Sequence, residues 1–249
     1  MQTRLFDDPD LVQFYDIENG WADDDRYCQE LALGKRTVLD LGCGTGRLAA
    51  ALALGREVFG VDPAAAMLTT ARQRERGSAV TWIEADARSV RLGRRFELIV
   101  LTGHTFQVFL TDEDQRAVCD TIAAHLAPGG TFIFDSREPS RQGWQKWEPS
   151  RSLRSIEHPA LGRIEAWNDV VFEPASEIVT YWTFFRALDG RMWEAQSRIR
   201  FSGKEAIAAR IAEAGLRVDR WMGNWRGDQW TPEAKDIIPV GSLARYALP

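Results

Sequence analysis

The feature that most restricts the fold is the run Val38-Leu39-Asp40-Leu41-Gly42-Cys43-Gly44-Thr45-Gly46. Thr37 to Leu41 reads as a short buried strand and leads straight into three glycines at alternate positions. A helix rich in Ala and Leu follows, from Leu48 to Leu54. Glycine at such a turn lets the backbone bend tightly and lets a ligand approach with no Cβ in the way. The free N–H groups at the start of the next helix favour an anionic group nearby.

The alternation continues. Glu57 to Val61 reads as a second strand, and Ala64 to Arg76 as a helix with Pro63 in its first turn, where a missing N–H costs nothing. Ala79 to Glu84 and Phe96 to Leu101 are the third and fourth strands. Thr111 caps a helix that opens on Asp112, Glu113 and Asp114 and runs to about Leu126. Pro128-Gly129-Gly130 then leads to a fifth strand, Thr131 to Phe134. After about Ser140 the pattern changes to long β-prone runs, Gly162 to Phe172, Glu177 to Leu188 and Arg191 to Phe201. They read as a three-stranded antiparallel meander, with an Asp189-Gly190 turn of two consecutive positive φ values. A helix, Lys204 to Ala214, stops at Gly215, and Leu216 to Trp221 and Asp236 to Ala244 supply the last two strands.

The expected architecture is α/β: a seven-stranded, mostly parallel sheet with helices on both faces, plus an inserted antiparallel β-meander. It divides the chain into an N-terminal helical cap segment (1–34), a ligand-binding core (35–140), an insertion serving as substrate lid or dimer surface (141–202), and the C-terminal part of the core (203–249). Ligands in such sheets bind beyond the strand C-termini, where strand order reverses.

The net charge of −5 disfavours nucleic acid as a partner, since phosphate binding needs a basic face. Arg141, Lys146, Arg151 and Arg154 cluster in sequence, but Glu148 and Glu157 dilute them. Cys28, Cys43 and Cys119 are widely spaced and form no C-x-x-C pair, which fits reduced thiols in a cytoplasm. No apolar run suits a secretory signal or a membrane span, and no His/Asp/Cys cluster has metal-ligand spacing, so no metal is expected.

The glycine spacing differs from the G-x-G-x-x-G of dinucleotide folds, because the third glycine comes one residue early and an acid, Asp40, precedes the loop. That spacing opposes a nicotinamide-dependent oxidoreductase. Asp62 lies twenty residues beyond Gly42, at the end of the second strand; Asp86 follows the third strand, and Thr102-Gly103-His104 the fourth. From Thr37 to Ser136 the chain resembles the class I, Rossmann-like S-adenosylmethionine-dependent methyltransferases. The resemblance implies S-adenosyl-L-methionine as donor and S-adenosyl-L-homocysteine as product. It implies that Asp40 meets the donor's ammonium and that Gly42, Cys43, Gly44 and Gly46 cradle it. Asp62, beside Pro63, then accepts from the ribose hydroxyls. Asp86 and the Ala87 N–H meet adenine, and Thr102 lines the methyl donor.

Methyl transfer needs alignment and exclusion of water, with a base only if the acceptor must lose a proton. His104, beyond the fourth strand, is the first candidate for that base, because imidazole titrates near neutrality. A histidine that merely orients its loop is the alternative. Tyr15, in an N-terminal segment expected to fold over the donor, is the second candidate; Trp21 and Tyr27 share that segment, and Arg47 follows the glycines. His125 is expected to be structural, and His158 is left unassigned. Gly103-His104, Tyr15-Asp16 and the antiparallel insertion are similar to amino-sugar N-methyltransferases, although Asn19 to Asp25 departs from them. The insertion concentrates Trp144, Trp147, Trp167, Trp182, Phe184, Phe185 and Trp193, which suits aromatic walls for an amine or a surface that pairs with its own copy in a homodimer. The expected function is methyl transfer to a nitrogen or oxygen of a small-molecule acceptor. The alternative from another class is a donor-binding sensor or scaffold without transferase activity. No Asn-Pro-Pro-Tyr-like motif follows the fourth strand, where an amino-methylating DNA enzyme would need it.

Overall fold

The computed structural model describes residues 4–244. Four short helices open it: α1 (Arg4–Asp7), α2 (Pro9–Val12), α3 (Tyr15–Glu18) and α4 (Asp23–Leu31). The core then runs β1 (Thr37–Leu41), α5 (Arg47–Leu52), β2 (Glu57–Asp62), α6 (Ala65–Gln73), β3 (Val80–Glu84), β4 (Phe96–Leu101), α7 (Asp112–His125) and β5 (Leu126–Phe134). Helix α7 begins as its sequence requires: the Thr111 hydroxyl accepts from the Asp114 N–H at 3.1 Å, and three acids occupy its positive end. A two-residue strand β6 (Ser136–Arg137) follows, then α8 (Pro149–Ser152), β7 (Arg154–His158), β8 (Gly162–Glu173), β9 (Ile178–Ala187), β10 (Met192–Arg200), α9 (Lys204–Glu213), β11 (Leu216–Met222) and β12 (Asp236–Leu243).

The central sheet has the order β11-β12-β5-β4-β1-β2-β3, with β6 paired to β12 off that path. Strands β5, β4, β1, β2 and β3 are parallel, and β12 runs antiparallel to both β5 and β11. Alternate residues serve opposite layers. Leu39, Leu41, Ile99, Phe132 and Phe134 pack with Val118 and Ile122 of α7 and Ile207 and Ile211 of α9. Val38, Leu98, Val100 and Ile133 pack with Cys28 of α4 and Leu48, Ala49 and Leu52 of α5. Each large side chain so buried contributes roughly 1.5–3 kcal/mol. Strand order reverses between β1 and β4, which opens a crevice at their C-terminal ends.

The second sheet is antiparallel, with order β10-β9-β8-β7, so it has four strands and not the three expected. The extra strand, β7, lies at the edge and carries one aliphatic residue, Ile156, among charges; pairing with β8, not its own pattern, makes it a strand. The turn into β10 also differs. Only Gly190 has a left-handed φ (+88°), and Ala187 and Arg191 close the loop, so Asp189 avoids the second positive φ. Strand β5 starts at Leu126, directly after α7, earlier than the Thr131 expected.

The N-terminal helices tie the two sheets together. Phe14 is fully buried and stacks on Phe185 of β9 at 4.1 Å, while Val12 packs with Ala64 and Met67 beside α6. No helix among the described residues is long and apolar enough to cross a membrane.

Candidate active site

The glycine loop leaves β1 at the reversal point. Gly42 and Cys43 both donate backbone N–H to Val61 O, at 2.7 and 3.0 Å, which bends the chain back against β2. Gly42 has φ +72°, and a Cβ there would lie 2.4 Å from Thr105 Cγ2; Gly46 has φ +74°, and a Cβ there would lie 2.4 Å from the Trp82 ring. Both positions therefore need glycine, one to let the loop after β4 approach and one to seat α5. Asp62, at the end of β2, holds the loop's shape: its Oδ2 accepts from the Gly44 N–H at 2.9 Å and its Oδ1 from the Ala64 N–H at 2.9 Å.

A cleft of about 640 Å³ lies over this loop. Its walls include Tyr15, Asp40, Gly42, Cys43, Thr102 and His104, and acids dominate its polar lining: Glu18, Asp23, Asp24, Asp25, Asp135 and Asp236 join Asp40. Burial, with Asp62 and Asp25 nearby, pushes the Asp40 carboxyl up to about 7. Burial also raises Asp24 and Asp135 above the usual carboxylate range. Asp25 is fixed instead, accepting from the Ala22 N–H at 3.0 Å and pairing with Arg47 at 3.0 Å. Arg47 also donates to Asn19 O, so it locks the N-terminal segment onto α5. Burial raises the Tyr15 phenol to about 12, so near neutrality it is a hydrogen-bond donor.

His104 is held from both sides. It adopts a left-handed φ of +59°, a strained conformation for a residue with a Cβ. Its N–H donates to Asp135 Oδ1 at 2.9 Å, and its ring Nε2 lies 3.2 Å from Asp236 Oδ1 and 3.4 Å from Asp135 Oδ2. Asp135 follows β5 and Asp236 opens β12, so two strands converge on one imidazole. Asp135 Oδ2 is buried and makes no hydrogen bond among the described residues.

The other histidines are elsewhere. His125 is buried on α7, where Nε2 accepts from the Leu92 N–H at 2.9 Å and Nδ1 therefore donates to Thr121 O at 2.7 Å. His158 Nδ1 accepts from the N–H groups of Ala160 and Leu161 in the turn after β7. Gly44, Gly46, Asp62, Pro63, Asp86 and Ala87 lie outside the cleft lining, on the loop and at the ends of β2 and β3. Asp86 faces its own loop. Arg88 holds it through Nε at 3.0 Å and pulls its carboxyl below the usual range.

Comparison with known proteins identifies the domain that holds the glycine loop. Residues 38–130, which span the glycine loop and strands β1 to β4, match the family model described as methyltransferase domain. The chain thus carries a methyltransferase domain of the S-adenosylmethionine-dependent kind. The methyltransferase is 28% identical over 211 residues to the cypemycin N-terminal methyltransferase of a Streptomyces species, covering 84% of this chain and 83% of the relative. It is 31% identical over 112 residues to dTDP-3-amino-3,4,6-trideoxy-alpha-D-glucopyranose N,N-dimethyltransferase of Streptomyces venezuelae, covering 43% of this chain and 46% of that protein. Its fold matches the CcbJ methyltransferase of Streptomyces caelestis with a TM-score of 0.76 at 20% identity, over 93% of this chain and 96% of that one.

The methyltransferase's cleft fits its donor. A cationic ligand beside Asp40 would restore the charge that burial disfavours, and the two loop glycines keep Cβ atoms out of the backbone's path. The sequence reasoning missed Asp135 and Asp236. An acid directly after a core strand, Phe134-Asp135, was a usable signal. Asp236 carried none, because its place depends on β12 running antiparallel into the sheet's ligand edge.

Proposed function

We propose that the methyltransferase transfers the methyl group of S-adenosylmethionine to the nitrogen of a small-molecule amine. The observation that carries this reading is Asp135 Oδ2, a buried carboxylate oxygen at the wall of the cleft with no hydrogen-bond partner among the described residues, 3.4 Å from His104 Nε2. An amine N–H placed there donates a charge-assisted hydrogen bond, one that the ether formed by methylating a hydroxyl could not make. Glu18 and Asp236 on the same wall favour the same positive charge. The names of two relatives support it, since one is an N-terminal and one an N,N-dimethyltransferase.

The bound donor supplies a methyl group activated by its sulfonium. The amine nitrogen forms the new N–C bond as the S–C bond breaks, and the product ammonium then loses a proton. With Nε2–H donating to Asp236, Nδ1 of His104 keeps its lone pair and takes that proton. Tyr15, lying over Gly44 with its hydroxyl 3.7 Å from the position of a Cβ there, orients the reactants as a donor. Asp40, Gly42, Cys43, Gly44, Gly46 and Thr102 hold the donor, with Asp62, Pro63, Asp86 and Ala87 toward its adenosine end. In this reading residues 4–34 and 141–202 close over the acceptor. The inner face of the antiparallel sheet lines a second cavity of about 300 Å³ through Tyr181, Thr183, Phe185 and Ile199, and Trp167 and Phe184 stack on the outer face.

The test is transfer of an isotopically labelled methyl group to a panel of amino sugars and free-amine peptides beside their hydroxyl analogues, with the label located by mass spectrometry. Label on nitrogen supports the reading. Label on oxygen alone sinks it.

A further inference from the structure

A row of hydrogen bonds crosses the inner face of the antiparallel sheet and ends at the second cavity. It starts at Glu18, whose Oε2 accepts from Arg154 Nε at 2.8 Å. Arg154 NH1 donates to Asn168 Oδ1 at 3.0 Å. Asn168 Nδ2 donates to Trp182 O at 3.2 Å and to Thr183 Oγ1 at 2.9 Å, because the pairing of β8 with β9 sets Asn168 opposite Thr183. Glu18, Arg154, Asn168 and Thr183 all line the cavity.

The row leaves one donor unused. Flipping the Asn168 amide would turn Oδ1 against the Trp182 carbonyl and Nδ2 against the Arg154 guanidinium, which is repulsive at both ends, so the amide has one orientation. Thr183 Oγ1 is therefore the acceptor in its bond with Asn168, and its own O–H must donate elsewhere. No acceptor for that proton lies within hydrogen-bond distance among the described residues. Thr183 is only 6% exposed. A buried donor without an acceptor is costly, and a ligand oxygen set against it removes that cost.

The supporting groups are themselves held. Ser152 Oγ accepts from the Asn168 backbone N–H at 2.9 Å, and the Ser152 carbonyl accepts from Arg154 NH1 at 3.0 Å. Leu11, Phe14, Phe185 and Ile199 give the cavity its apolar wall. The Arg154 charge is already met by Glu18. What remains at this point is one neutral hydroxyl, which does not offset the desolvation of an anion. The ligand oxygen that suits Thr183 is therefore uncharged.

We propose that the Thr183 hydroxyl is a specificity-determining hydrogen-bond donor of the second cavity, so that the methyl acceptor carries an uncharged oxygen, an ether or a carbonyl, on the same molecule as its amine. Assigning the cavity to the acceptor rests on the N-methylation reading above; the Thr183 site itself does not. The two cavities share Tyr15, Glu18 and His104 as walls, so one molecule can reach both.

The experiment uses the full chain saturated with S-adenosylhomocysteine and follows labelled isoleucine δ1 methyl groups by NMR. Tetrahydropyran, an ether, and cyclohexanone, a carbonyl, are titrated separately. The signal of Ile199 on the cavity wall, identified by its loss in Ile199→Val, shifts saturably with at least one probe, while that of Ile238 in the central sheet stays in place. The tighter probe names the kind of oxygen. Thr183→Val keeps the branched shape without the hydroxyl and weakens that probe about 3- to 10-fold, whereas Thr183→Ser keeps the affinity within about twofold. Asn168→Asp gives the Thr183 proton an acceptor inside the wall and weakens the probe about as much as Thr183→Val, with Thr183 still in place. An Ile199 signal that saturates with neither probe, an affinity unchanged in Thr183→Val, or one lost equally in Thr183→Ser overturns the proposal. No amine and no methyl transfer enters the titration. A negative result therefore leaves N-methylation standing, and oxygen methylation in the labelling panel leaves the Thr183 site standing.

Discussion

The imidazole Nε2 of His104 lies 3.2 Å from Oδ1 of Asp236, a residue 132 positions away in the chain. The contact fixes the ring where the two cavities meet. Replacing Asp236 by Asn keeps the shape and removes the charge. Turnover of an amine acceptor is expected to fall about 10- to 100-fold in kcat with KM and donor affinity little changed, and His104→Ala to lose about 10²–10³-fold. Steady-state rates paired with calorimetric titration of S-adenosylhomocysteine check this; a loss confined to KM would make the pair a binding element only.

Asp62 is expected to act on a bound donor through the loop whose shape it holds. Both oxygens already accept backbone N–H groups, from Gly44 and Ala64. A hydrogen bond to a charged group is worth about 1.5–3 kcal/mol, so Asp62→Ala should lower stability by about 2–4 kcal/mol and weaken the donor at least tenfold. Titration with S-adenosylmethionine and S-adenosylhomocysteine at a temperature where the variant is folded separates the two effects. Undiminished binding in the folded variant would remove Asp62 from the donor site.

Asp40 makes stability and donor binding depend on pH in a stated direction. Its folded carboxyl titrates near 7 and its unfolded one near the ordinary aspartate value of 3.8. Between those values the native state binds more protons than the unfolded one, so stability falls as pH rises, by up to ~1.4 kcal/mol per pH unit from this group, and levels off above about pH 7. Urea unfolding from pH 5 to pH 8 measures the slope, and Asp40→Asn should flatten it. Binding the cationic donor should release a proton near pH 6.5, visible as a buffer-dependent enthalpy in calorimetry.

Gly46 cannot take a side chain. Its φ is +74°, and a Cβ would meet the Trp82 ring at 2.4 Å and Ala71 Cβ at 2.7 Å. Gly46→Ala should cost about 2–4 kcal/mol in urea unfolding, the sum of overpacking and a left-handed penalty. Trimming the obstacle in Gly46→Ala with Trp82→Leu should not restore full stability, because the backbone penalty persists.

Phe14 holds the N-terminal segment to the antiparallel sheet, stacking on Phe185 at 4.1 Å and meeting Trp193 edge-on at 5.2 Å. Phe14→Ala should cost about 3–5 kcal/mol and raise the acceptor KM. Limited proteolysis should then cut within residues 4–31 far sooner than in the parent protein. Equal cleavage rates would show that the ion pairs of Arg47, Arg74 and Arg154 suffice to hold the segment.

Local chemistry made the parallel half of the fold legible. Strand, glycine loop and helix follow one another within a few residues, and the alternation of Val38, Leu39, Leu98, Ile99, Phe132 and Ile133 between two layers is written in the order of the side chains. The same locality made Asp40, Gly42, Cys43, Thr102 and His104 findable as neighbours, because each sits where a parallel strand ends at one shared edge. The fourth strand of the second sheet was not legible, since an edge strand such as Arg154–His158 takes its conformation from its partner.

The sequence by itself determined the strand, glycine loop and helix motif, which depends on contacts between near neighbours in the chain. Only the tertiary structure decided that Asp135 and Asp236 meet one imidazole and that Gln107 meets Arg137. Those relationships join segments as far apart as 132 residues. They follow from sheet order and strand direction, which no local pattern of polarity encodes.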